Sequence, residues 1–466
     1  MTKPLRQLGL TVTAAIVVAN MIGTGVFTST GFQAASLHDP LTILACWVIG
    51  GIVALCGAAT YAELGSMMPK AGGEYVYLRE AYHPAVGFMS GWVSLTAGFS
   101  APIAVAALAF SRYLGTIVPG VSGAPWAEGV IDLGSIGVGE VAIRLGPGQA
   151  VAMALIIAIA GLHSFDAKIG GWVQAAFTAA KVLLIVLFIL GGLLLGEGNW
   201  DHFETQGGGM SNIFTTAFAT SLMYVSFAYS GWNAAAYIAG EVREPSRTIP
   251  RALLLGTGSV MVLYVLLNLV FLYAVPTSVL AGAGGGGPVF EVGDVAARAL
   301  FGNRAGQLVT SVIALALVSA VSAMVMAGPR VYAAMARDHA LPHQLAHHNA
   351  RGVPVFAVIT QGVLGCLFVL VGDPDKLIRF VGFTLALFTG LAVGAVFILR
   401  ARGMTSEYKT TGYPVTPLLF IALSAWIVYA QIKDRPVEAI AVGVVLALGA
   451  LVYWITVGRK PPVEEA

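Results

Sequence analysis

Twelve apolar stretches divide the chain, at roughly 9–37, 41–67, 85–117, 148–162, 171–195, 211–240, 251–275, 303–334, 354–371, 376–399, 414–431 and 436–457. Their lengths suit helices of about 20 residues, the span of a bilayer's hydrocarbon. The short alternating segments of a membrane β-barrel are not evident between them. The pattern predicts an all-α integral membrane protein with twelve transmembrane helices.

The first stretch is interrupted at Asn20-Met21-Ile22-Gly23-Thr24-Gly25-Val26-Phe27, with helix-forming residues on both sides. Two glycines around a threonine weaken a helix where lipid offers no water to its backbone. Such a break is tolerated where it lines a cavity inside protein. There the freed N–H groups and the positive end of a half-helix attract an anion such as a carboxylate. A small-solute site near mid-membrane follows, as in secondary transporters. The alternative is a small-residue packing face, but Gly-Thr-Gly is not spaced as small-xxx-small.

The sixth stretch holds a weaker candidate, Ser226-Phe227-Ala228-Tyr229-Ser230-Gly231-Trp232, with a single glycine. Its position, five stretches after the first break, carries more than its composition. Transporters built from inverted repeats place unwound segments at corresponding points of the two halves. This predicts a single transport domain, 1–466, with repeats over 8–195 and 211–400 and two appended helices over 414–457.

Composition agrees with membrane residence: 57% of residues are apolar and 10% charged, and mean hydropathy is +0.83. With both termini inside, sixteen of the 25 Lys and Arg fall in cytoplasmic loops, among them Lys3, Arg6, Lys70, Lys168, Arg459 and Lys460. Eight fall outside, among them Arg112, Arg144, Arg298 and Arg379, while Lys181 lies within a helix. This bias favours a multi-pass protein with both ends cytoplasmic. The basic residues are dispersed, which argues against nucleic acid. Cys46, Cys56 and Cys366 lie in apolar stretches and read as core residues. The first apolar run is too long for a cleavable signal peptide and lacks a small-residue cleavage pattern. The outer loop 118–149 is Gly- and Pro-rich, and Ala281–Pro288 reads as a flexible linker.

Several motifs, in order, carry a family resemblance: Ile22-Gly23-Thr24-Gly25-Val26-Phe27; Pro69-Lys70-Ala71-Gly72-Gly73-Glu74-Tyr75-Val76-Tyr77; Phe177-Thr178-Ala179-Ala180-Lys181. Phe227–Asn233 follows, then Glu241, Glu244, Pro245, Arg247 and Ile249-Pro250, and finally Arg330, Tyr332, Ala336-Arg337-Asp338 and Leu341-Pro342. The chain resembles the amino acid–polyamine–organocation (APC) superfamily. The most similar branch is that of the L-type amino-acid transporters and their bacterial relatives. The resemblance implies a LeuT-like fold with discontinuous helices 1 and 6, alternating access, and a prokaryotic cytoplasmic membrane as its location.

It also implies a site. The substrate carboxylate would meet N–H groups around Gly23, Thr24 and Gly25. Its ammonium would meet carbonyls near Met21 and Ile22 and those of Phe227, Ala228 and Ser230. Phe227 would be an aromatic outer gate; on composition alone it reads as packing. Lys181, deep in its stretch, is a functional candidate because an ionisable group is costly there. By the resemblance it stands where sodium-coupled relatives hold the ion, with Ser319 and Ser322 as candidate partners. Sodium independence follows, with exchange and proton coupling both open. Tyr264 and Asn268 resemble residues coupling helix 7 to the centre, or are simple interhelical hydrogen bonds.

Glu63 and Glu241 read as ion-pair partners near cytoplasmic helix ends. His163, His339, His343, His347 and His348 read as solvated inner-loop residues and not as a metal site. Departures from the pattern narrow the substrate. Phe383-Thr384-Leu385-Ala386-Leu387 lacks the Trp or Asn of better-known L-type members. Residues 118–149 contain no Cys, so no disulfide-linked heavy chain is expected. Ser230 stands where some cationic-substrate relatives have an acid, and no unpaired acid is evident in the core stretches. The expected substrate is a small or neutral L-amino acid. The alternatives are a cationic amino-acid or polyamine carrier, or a sensor of the same fold that binds without transport. No nucleophile–base pair, phosphate loop or cofactor motif points to an enzyme. The sequence sets no oligomeric state.

Overall fold

The computed structural model describes residues 8–69, 72–136, 139–165, 167–204, 209–283, 285, 287–338, 341–371 and 373–457. Lys3, Arg6, Lys70, His339, Arg459, Lys460 and part of the Ala281–Pro288 stretch lie outside the described residues.

The first apolar stretch forms two helices, α1 (Leu10–Met21) and α2 (Gly25–Leu37), separated at Ile22–Thr24. Helix α3 (Pro40–Met67) starts on a strong signal: Asp39 accepts from the Thr42 N–H, and Pro40 occupies the first turn. Gly72 and Gly73 follow with φ of 125° and 51°. They turn the chain back into a short helix, α4 (Glu74–Ala81), that the hydropathy pattern does not announce.

The third stretch is not one regular helix. It comprises α5 (Pro84–Val93), a π-helical turn at Ser94–Ser100, and α6 (Ala101–Gly115). The outer loop corrects the all-α expectation. Strands β1 (Ala127–Leu133) and β2 (Gly139–Leu145) pair antiparallel as a hairpin, Ile131 opposite Val141 and Asp132 opposite Glu140. Val130, Ile131, Val141 and Ile143 supply the β-branched residues that favour it. The loop is therefore ordered around a sheet, despite its glycines and prolines.

Helices α7 (Pro147–Phe165) and α8 (Ala167–Leu194) follow. The sixth stretch gives α9 (Thr216–Tyr229) and the four-residue α10 (Ala234–Tyr237). The break thus starts at Ser230, later than the motif suggested, and Phe227 and Ala228 remain in the last turn of α9. Gly231 takes φ 94°, a conformation that its neighbours with side chains rarely adopt, so the chain turns there.

Helix α11 (Pro245–Ala274) contains Pro250, and a short α12 (Thr277–Leu280) leads to α13 (Val292–Arg337). The last is longer than the predicted stretch and bends at Gly302, where φ is 74°. Helices α14 (Val355–Val371), α15 (Pro374–Ala401), α16 (Val415–Asp434) and α17 (Pro436–Thr456) complete the chain. Ten helices among the described residues are long and apolar enough to span a bilayer, counting α1 and α2 together. The protein is a multi-pass membrane protein, mostly helical.

Two packing groups organise the helices. In one, α1 packs on α11, α2 on α9, and α3 on both α9 and α11. In the other, α6 packs on α7, α13 and α14. The start of the chain is tied to the segment after α10: the Leu8 N–H donates to the Glu241 carbonyl (3.1 Å), and the Arg243 N–H donates to that of Leu8 (2.9 Å). The segment before α1 and the segment after α10 are thereby joined.

Candidate functional site

A helix that ends inside the membrane leaves its last carbonyls without partners. At the end of α1 those carbonyls are filled by side chains. The Ile22 N–H donates to Val18 (3.0 Å). The Lys181 ammonium donates to the carbonyls of Ala19 and Ile22, each at 2.6 Å, and the Tyr264 hydroxyl to that of Met21 at 2.6 Å. Lys181 is 1% exposed. Its charge stands at the negative end of the α1 dipole, which favours a cation. Among the described residues, neither Ser319 nor Ser322 bonds to it. Gln174 donates to Ser319 (3.4 Å), and His163 Nε2 shares a 2.8 Å hydrogen bond with Ser322. His163 is therefore a buried residue of α7 and not the solvated loop histidine the sequence suggested.

Helix α2 starts at Gly25 with no side-chain cap, so its first N–H groups are open to another acceptor. Thr28 returns its hydroxyl to the Thr24 carbonyl (3.1 Å), and Thr30 bonds to Asn268 of α11. The two breaks touch through glycines. A Cβ on Gly25 would lie 2.5 Å from Cα of Ala228, and one on Gly231 would lie 2.7 Å from the Asn20 carbonyl.

Beside these breaks lies a cavity of about 110 Å³. Asn20, Ser230, Gly231, Asn233 and Tyr237 line one side, with Ser90, Ser94 and Phe99 on the α5–α6 side and Thr384, Leu385 and Phe388 of α15 on another. Of the predicted substrate residues only Ser230 borders it; Met21, Ile22, Thr24, Gly25, Phe227 and Ala228 are buried and Gly23 is partly buried. Phe227 sits about one turn inward of Tyr224, whose ring stacks on Phe32 with centroids 5.2 Å apart.

The sequence reading missed Glu74. It borders the cavity and is 5% exposed. Its Oε1 accepts from the Tyr61 hydroxyl (2.8 Å) and from Asn233 Nδ2 (2.6 Å), which also donates to the Tyr237 hydroxyl (3.1 Å). The available signal was an acid directly after Gly72-Gly73, the pair that folds the chain back inward. Glu63 and Glu241 do meet cations, Arg400 at 2.7 Å and Arg330 at 3.3 Å. Glu63 also accepts from the Thr410 N–H and hydroxyl, both at 2.6 Å.

A family model described as amino acid permease matches residues 8–457, nearly the whole chain. The chain belongs to this amino acid permease family. The permease is 31% identical to the serine/threonine exchanger SteT of Bacillus subtilis, over 91% of this chain and 90% of the relative. It is 28% identical to the human b(0,+)-type amino acid transporter 1, over 96% of this chain and 87% of the relative. It is 26% identical to the human large neutral amino acids transporter small subunit 2, over 97% and 80%. The matched region begins before the first break and ends beyond α17, so both breaks and the Lys181 contacts lie within the permease homology.

Proposed function

We propose that this permease exchanges small neutral L-amino acids across the cytoplasmic membrane by alternating access, independently of sodium. The observation that carries this reading is the Lys181 ammonium lodged on the Ala19 and Ile22 carbonyls. It is a fixed cation at the broken helix, in the place where sodium-coupled relatives hold a mobile one. Exchange is supported by the relative named a serine/threonine exchanger.

The transport unit has twelve spans on this reading: the ten long helices, α14, and the broken pair α9–α10. Residues 8–195 and 211–400 form inverted repeats, 414–457 are appended, and both termini face the cytoplasm. The group containing both breaks rocks against the group built on α6 and α13. The substrate carboxylate is received at the start of α2, by N–H groups of Gly23, Thr24 and Gly25. The ammonium is received by carbonyls at the ends of α1 and α9. Because Lys181 and Tyr264 already use those of Ala19, Met21 and Ile22, the share of Ala228 and Ser230 is the larger.

Uptake of labelled serine, alanine and leucine into proteoliposomes tests this reading. The expected result is uptake that is unchanged by sodium and raised by internal amino acid. Binding without any flux would make the protein a sensor, and a sodium requirement would remove the role given to Lys181.

A further inference from the structure

Glu74 is a carboxylate deep in the protein whose described partners are all neutral. Tyr61 and Asn233 donate to one oxygen, and Tyr237 and Tyr77 stand close by. No described Lys, Arg or His forms an ion pair with it, although Glu63, two residues beyond Tyr61 on α3, has its arginine. An ionised carboxylate buried without a countercharge is unfavourable, so a cation from outside this cluster has a place to act. The cavity at its side also holds an unsatisfied hydroxyl. Ser90 is 1% exposed and its hydroxyl has no hydrogen-bond partner among the described residues, yet it borders the same space.

The cavity's size and reach fit a flexible chain ending in an ammonium. A single water needs about 10–15 Å³ by this measure, so 110 Å³ admits several heavy atoms. Ser230, given a share of the substrate's α-ammonium, and Asn233, which bonds to Glu74, are three residues apart in one break. That separates them by no more than about 10 Å of backbone, and a lysine-type side chain extends about 6 Å. A primary ammonium offers three donors, which suits a carboxylate oxygen and nearby hydroxyls.

We propose that Glu74 and Ser90 form a side-chain ammonium subsite, so that the permease accepts amino acids ending in a primary amine as well as small neutral ones. This rests on the reading that places the substrate backbone at the two breaks. It reverses the sequence-based preference against cationic substrates, which assumed that no unpaired acid faces the core.

The test compares lysine with norleucine, which has the same carbon chain without the amine. Melting of the purified full chain in detergent is followed as each is titrated, and serine flux into proteoliposomes is measured separately. Lysine is expected to reach half-maximal stabilisation at a concentration at least tenfold lower than norleucine. Glu74→Gln should bring the two to parity, and Ser90→Ala should narrow the gap severalfold, which serves if Glu74→Gln does not fold. Equal titrations in the unaltered protein overturn the subsite. So does a lysine preference that survives Glu74→Gln. Serine flux that depends on pH through Glu74, with lysine and norleucine equal, makes the carboxylate a proton site and also overturns it. Loss of all flux with the lysine preference intact removes the transport reading and leaves the subsite standing.

Discussion

Gly25 and Ala228 bring the two broken helices into backbone contact: any Cβ on Gly25 would fall 2.5 Å from Cα and 2.6 Å from Cβ of Ala228. The obstacle is partly main chain, so it cannot swing aside as a side-chain tip would. Gly25→Ala is expected to cost about 1–3 kcal/mol by overpacking. It should also reduce amino-acid exchange in proteoliposomes by at least tenfold, with Gly25→Val worse. Wild-type exchange in Gly25→Val would show that the breaks need not approach this closely at any stage of the cycle.

Gly231 makes the reciprocal contact and adds a conformational demand, since its φ is 94°. Gly231→Ala should therefore combine backbone strain with the clash against Asn20. We expect a lower melting midpoint than for Gly25→Ala. A midpoint equal to that of the unaltered protein would contradict this.

Lys181 serves two carbonyls at once. Lys181→Met removes the charge and keeps much of the apolar stem, leaving Ala19 and Ile22 without their donor. Each unsatisfied buried acceptor costs about 1–3 kcal/mol. Stability should fall together with transport, by more than tenfold in uptake, and sodium should not restore it. Sodium-dependent recovery in Lys181→Met would instead mean that the ammonium merely substitutes for a metal ion at an otherwise intact site. Tyr264→Phe is the milder companion: it removes one neutral hydrogen bond to Met21, worth about 0.5–1.5 kcal/mol, and should change the apparent KM severalfold while exchange persists.

The legibility of these features follows from how local their causes are. The first break is written in three adjacent residues, Gly23-Thr24-Gly25, and the structure interrupts the helix there, at Ile22–Thr24. The second has only Gly231 to announce it, so the motif places the break too early and includes Phe227, which stays in the last turn of α9. The α4 turn and the burial of Glu74 depend on two positive-φ glycines and on Tyr61 and Asn233 arriving from distant parts of the chain. Gly72-Gly73 marks the turn before Glu74, but the sequence around it does not show that the acid is buried. His163 misled for the same reason: its helix end looks exposed until Ser322, 159 residues later, packs against it. The hairpin at 127–145 was hidden by the glycines and prolines around it.

Tyr224 and Phe32 stack on one another about one turn of α9 before Phe227, on the side that the proposed topology makes the outer one. Tyr224 is held in turn by the Asp375 carboxylate of α15 at 2.6 Å, and Asp375 by Arg379. If this layer is the outer gate, removing the hydroxyl and removing the lower ring should have different consequences. Tyr224→Phe keeps the stack on Phe32 and loses the tie to α15, so the outward-open form should gain population. A cysteine introduced at Ser226, which borders the cavity, should then react severalfold faster with a membrane-impermeant thiol reagent added outside. Phe227→Ala leaves the tie but removes the ring over the substrate position. We expect flux that no longer requires internal amino acid, because an empty carrier can then pass between its two forms. Strict exchange in Phe227→Ala, with unchanged labelling in Tyr224→Phe, would place the outer gate elsewhere.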